Sequence, residues 1–134
     1  MVKFTASIEA KQPDPVMDFT ICLLNSVTTA HILHFKSRSF SQHMALGEFY
    51  NGIGDLVDAF VEAFQGKYGL LTSYPATADL FATQDPIAYL TYLKDEVATL
   101  RKANGFPQDS ELQNEIDNIA NLINTTLYKL KFLA

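Results

Sequence analysis

Residues 31–62 read HILHFKSRSFSQHMALGEFYNGIGDLVDAFVE, and this stretch decides the fold. Ser37-Arg38-Ser39 is a short polar turn between two long apolar-periodic segments. After the turn, Leu46, Phe49, Ile53, Leu56, Val57, Phe60 and Phe64 recur at helical spacing and predict a helix from about Ser41 to Tyr68. Before it, Met17, Ile21, Leu24 and Phe35 keep the spacing of one helical face. His31 falls on that face, and His34 lies about 60° round from it. Helices joined by so short a turn are antiparallel neighbours.

Outward from this hairpin the punctuation is clear. Asp14 is the expected N-cap of the first helix and Pro15 its first residue, after a lead-in over 1–13. Gly66 and Gly69 close the second helix. Residues 69–85 form a long connection, in which Ala78-Asp79-Leu80-Phe81-Ala82 predicts a short helix. Asp85 and Pro86 open a third helix carried by Ile87, Leu90, Leu93, Val97 and Leu100, and Gly105 and Pro107 stop it. Ser110 opens a fourth with Ile116, Ile119, Ile123, Leu127 and Leu130. No strand pattern competes. The expectation is all-α: one four-helix-bundle domain over 14–134, with its long connection between helices two and three.

The bulk numbers bound the function. The chain has 134 residues, 48% apolar and 19% charged, with a net charge of -5. That balance suits one globular domain. The acidity argues against DNA and against an anionic membrane surface, since both need clustered Lys and Arg. Cys22 is the only cysteine, which excludes an internal disulfide and fits a reducing, cytoplasmic setting. No unbroken apolar run long enough for a transmembrane span and no signal-peptide pattern is read. Neither a glycine-flanked nucleophile nor a phosphate-binding loop occurs.

Chemistry concentrates in the hairpin. His31, His34 and His43 are the only histidines, and Asp58 and Glu62 share one face of the second helix. Histidine and carboxylate are common ligands of iron and zinc. Yet Asp58 lies about 22 Å along the helix from His43, so these carboxylates cannot meet the histidines of their own chain. A second copy, with the two second helices antiparallel across a two-fold axis, would bring them together. Gly47, Tyr50, Gly54 and Asp58 fall on one stripe with His43, and glycine inside a helix costs about 1 kcal/mol relative to alanine. Those glycines suit the close approach of another backbone, of a neighbouring helix or of a second copy.

The pattern His31, Phe40-x-x-His43, Tyr50, Asp58-x-x-x-Glu62, Gly66 resembles the Dps family of small ferritin-like proteins. The resemblance covers about 40 residues, and its intervals of twelve, fifteen and four agree. It implies a ferritin-like bundle that assembles as a homodimer or a larger shell. It further implies iron, as a single or di-iron centre, bound by His31 and His43 of one subunit with Asp58 and Glu62 of the next. His34 is an alternative ligand, and another divalent metal would suit the same donors. Ferroxidase activity would follow from the resemblance alone. Two positions depart from the family: Ile32 stands where Trp is usual and Ala63 where Arg is usual. The Glu-x-x-His motif of di-iron ferritins is absent. The run Arg38-Ser39-Phe40 with His43 and Ala45-Leu46 is also similar to small helical proteins of tailed phages. The competing reading is a helical interaction or structural protein of the same fold. In it the histidines only pack, and Asp58 and Glu62 are solvated carboxylates.

Overall fold

The computed structural model describes residues 14–133; the lead-in over 1–13 lies outside them. Four helices follow in order: α1 (Pro15–Lys36), α2 (Phe40–Tyr68), α3 (Pro86–Leu100) and α4 (Ser110–Phe132). Three starts are capped by side chains. The Asp14 carboxylate accepts from the N–H of Val16 and Met17, the Ser39 hydroxyl from Gln42, and the Asp85 carboxylate from Ile87 and Ala88. Each satisfies N–H groups that have no partner inside the helix. Gly69 ends α2 at φ 101, a left-handed conformation that side chains resist. Among the described residues there is no strand.

α1 packs against α2 and α3, and α4 against the same two. The ends fix the directions. Lys67 at the close of α2 meets Glu111 at the start of α4, and Glu48 near the other end of α2 meets Lys129. These two helices are therefore antiparallel. Leu80–Thr83 lie beside Ile32 and Lys36, while Leu100 lies beside Met17, so α3 runs antiparallel to α1. The chain thus goes up, down, down and up, and residues 69–85 climb the length of the bundle to start α3.

That climb is extended. The short helix expected at 78–82 does not form. A five-residue helix fixes its backbone for one or two hydrogen bonds. Here the extended chain does better: the Asp79 carbonyl accepts from the Asn25 amide at 3.3 Å, and Phe81 packs on Tyr89 and Tyr92 of α3.

The core is apolar and continuous from end to end, with Phe19, Phe60 and Phe106 meeting at 5.0–5.9 Å near the α3–α4 turn. α4 buries the stripe expected of it, and α2 buries all of its own except Leu56 and Phe64, which are half-buried. α1 buries its own only in part. Its buried residues are Val16, Met17, Phe19, Thr20, Leu23, Ser26, Thr29, Ala30 and Leu33; of the expected face Met17 is buried and Ile21 half-buried, whereas Leu24 is exposed and Phe35 is 72% exposed. An apolar helix with two packed neighbours has several stripes that keep helical spacing, and the one read from Met17, Ile21, Leu24 and Phe35 starts buried and turns outward at Leu24 and Phe35. By length and composition α1 would also serve as a membrane-crossing helix, with a mean hydropathy of 1.4; half of that stretch is buried inside the bundle.

Candidate functional site

The turn places His34 and His43 symmetrically, and antiparallel packing sets them opposite each other. Their backbones and rings interlock. His34 Nδ1 donates to the His43 carbonyl at 2.6 Å, and His43 Nδ1 donates to the His34 carbonyl at 3.0 Å. The two rings stack at 3.6 Å between centroids, 21° apart. These carbonyls belong to the last turn of α1 and the first turn of α2. The His34 carbonyl, near the end of α1, also accepts from the Ser37 N–H at 3.4 Å, and the latch adds a second, shorter bond to it.

His31 stands one turn earlier on α1. Its ring stacks on Tyr50 of α2 at 4.1 Å and on Phe35 at 4.6 Å, and meets His34 edge-on at 6.0 Å. The three imidazoles therefore form a row, His31–His34–His43, half-buried along the seam between α1 and α2. His34 occupies its centre.

Gly47 belongs to this row. A Cβ at that position would sit 3.2 Å from His34 Cε1 and 3.3 Å from Nδ1. The glycine makes room for the ring, so its close neighbour is α1 of the same chain. Gly54, two turns further along, has no atom within 4 Å of where its Cβ would be. Asp58 and Glu62 follow on the same outward side of α2, exposed and without an ion-pair partner among the described residues.

The donor set can be tested against a metal. A ring whose Nδ1–H is anchored to a carbonyl keeps its lone pair on Nε2, the usual arrangement for a metal-ligating histidine. His34 and His43 have that anchoring. Parallel rings do not aim two lone pairs at one ion, however, and among the described residues no group of three His, Cys, Asp or Glu side chains could hold one. A metal at this row would need further donors from outside the chain. Asp58 and Glu62 are of the right type and lie too far away to serve in their own protomer.

Three features escaped the sequence reading. The reciprocal latch had a visible signal, since His34 lies four residues before Arg38, the middle of the turn, and His43 five after it. The stacking of Tyr50 on His31 had none. The role of Gly47 was legible only as a demand for close approach.

A half-buried histidine row on the seam of an all-helical four-helix bundle is the class of site this fold presents. The chain belongs to the family described as Family of unknown function (DUF5856), which matches residues 34–130. The matched span holds His34, His43, Asp58 and Glu62 and leaves out His31. No curated protein and no solved structure matches the chain.

Proposed function

We propose that the protein is a ferritin-like bundle of the Dps kind. It would pair with a second copy through the outer face of α2 and bind iron, or another divalent metal, at sites shared between the two. The up-down-down-up order with one long crossover is the connectivity of ferritin-like folds. The observation that carries the reading is the outer face of α2. Across a two-fold axis between antiparallel helices, residues equidistant from the axis face each other. His43 and Asp58 are equidistant from a point between Tyr50 and Asn51. One axis there brings imidazoles to carboxylates and lays the partner's α2 close over Gly54. Gly54, unexplained within its own chain, gains a reason.

In this reading His31 and His43 supply Nε2 and the partner's Asp58 and Glu62 supply oxygens, with His34 holding the row in place or joining it. Iron bound there would be the substrate of a ferroxidase reaction, with dioxygen or peroxide taking its electrons. The chain's own part is to orient His43 through its Nδ1–H bond and His31 through its stacking on Tyr50 and Phe35, and to bring carboxylates that balance the cation's charge.

The latch favours a second reading, a helical structural or interaction protein of the same fold without metal chemistry, because stacking and carbonyl capping give His34 and His43 a structural role. Sedimentation equilibrium and Fe(II) oxidation in air separate the two. The metal reading expects a dimer that Gly54→Leu splits, and ferric absorbance above background that His43→Ala and Asp58→Ala both abolish. Only background oxidation selects the second reading, and a monomer at every concentration refutes the first.

A further inference from the structure

On the side of the bundle away from the histidine row, α3 and α4 part around a pocket of about 250 Å³. Its apolar wall is made by Val97 and Ile123, and the small side chains of Ala98 and Ala120 leave the gap between the helices open. Lys94, Arg101 and Lys102 also line it. The chain has ten Lys and Arg residues and a net charge of -5, so three cations round one small pocket run against its overall acidity. Lys94 and Lys102 have no ion-pair partner among the described residues.

Arg101 is held in place. Its Nε donates to the Gln113 side chain at 2.9 Å, and its Nη2 to the Gln113 carbonyl at 3.1 Å and to Asp117 at 2.7 Å. Its Nη1 has no hydrogen-bond partner among the described residues. A guanidinium fixed on one edge with donors open on the other is prepared for a carboxylate at little further entropic cost. Asp117 neutralises part of its charge, which leaves the two lysines as the main attraction.

We propose that this pocket binds a small amphiphilic anion: a compact apolar body in the gap beside Ala98 and Ala120, with one carboxylate among Lys94, Arg101 and Lys102. The volume lies below the range of drug-sized sites, which excludes nucleotides and other large ligands. Apolar burial supplies affinity and the charges set orientation and sign. The site is independent of α2 and of any metal.

Octanoate, 1-octanol and octylammonium are the probes, followed by calorimetry and by the methyl chemical shifts of Ala98 and Ala120. Octanoate is expected to bind the full chain and move both methyl signals, 1-octanol to bind more weakly, and octylammonium not to bind. The exposed-site double variant Lys94→Gln/Lys102→Gln should weaken octanoate about tenfold and leave 1-octanol unchanged. Ala120→Leu, which fills the gap, should abolish both; should that variant fail to fold, the lysine variant still decides. The proposal is overturned if octanoate does not bind, if octylammonium binds as tightly, or if a folded Ala120→Leu variant binds octanoate unchanged.

Discussion

Substituting Gly47 by alanine sets two opposing effects against each other at the histidine row. In a helix interior the change gains about 1 kcal/mol of propensity. At Gly54, where a Cβ meets nothing, that gain should appear in full in a dilute, monomeric sample. At Gly47 the new methyl would stand 3.2 Å from His34 Cε1, so the ring must move by a few tenths of an ångström. It has nowhere to go: one face lies on the His43 ring, its Nδ1 is bonded to the His43 carbonyl at 2.6 Å, and Phe35 and Tyr50 meet it on other sides. Displacing it forfeits the one hydrogen bond its Nδ1 makes, worth about 1 kcal/mol, and stacking of roughly 0.5 kcal/mol or more. The net expectation is a loss of about 0.5 kcal/mol, or a fall of roughly 2 °C in Tm. In a His34→Ala background there is no ring to strike, and the same Gly47→Ala change should stabilise by about 1 kcal/mol. Urea unfolding of the four proteins of that cycle measures both signs. If Gly47→Ala is stabilising in the native background and equal to Gly54→Ala, the packing account of the row is wrong.

Three further outcomes follow from the rest of the molecule. Asp14→Ala and Asp85→Ala each remove a carboxylate that accepts two backbone N–H groups, and each should cost about 1 kcal/mol in thermal unfolding, roughly additively. Arg101→Ala unties the α3–α4 turn from Gln113 and Asp117 and should cost about 2 kcal/mol, whereas Asp117→Asn, at an exposed carboxylate, should cost well under half of that. Burial, with a smaller contribution from Glu96, pushes the Cys22 thiol from 9.0 up to about 12. The folded chain therefore holds this proton to higher pH than the unfolded one. The associated stability is complete below pH 9 and is lost as pH rises towards 12, at up to about 1.4 kcal/mol per pH unit. Cys22→Ala should flatten that slope between pH 9 and 10, before the tyrosines titrate; an unchanged slope in unfolding free energy would refute the assignment.

Legibility in the sequence tracked how one-sided each element is. α4 carries charged and polar residues round an Ile116, Ile119, Ile123 and Leu127 stripe, so only one face can be buried, and it is. Asp14-Pro15 and Asp85-Pro86 announce helix starts because a capping carboxylate and a fixed φ act locally, whatever packs above them. α1 was misread because it is apolar on several sides; the choice among its stripes is made by α2 and α3, which spacing within α1 cannot report. Residues 78–82 were misread for a related reason. Their apolar side chains spend themselves on α1 and α3 while the backbone stays extended, and nothing in the pentapeptide distinguishes that from a helix turn. At the site, residue types and antiparallel geometry were readable, but the pairing of His34 rather than His31 with His43 depends on ring orientation.

The latch and the metal reading make different demands on the same ring, and His43→Asn separates them. Asparagine places an amide N–H close to where histidine carries Nδ1, so the hydrogen bond to the His34 carbonyl at 3.0 Å can be kept. It has nothing in the place of Nε2. If His43 only closes the turn, His43→Asn loses the ring stacking, about 0.5–1.5 kcal/mol, and no other property changes. If His43 is also a ligand, the same variant retains most of its stability and its dimer while Fe(II) binding and oxidation fall to background. His43→Ala loses both, because it removes the latch bond as well and leaves the His34 carbonyl only the longer bond from the Ser37 N–H. Metal binding that survives in His43→Asn would remove this residue from any metal site, and with it the reason for matching Asp58 to it across a two-fold axis. The glycine at position 54 would then need another neighbour.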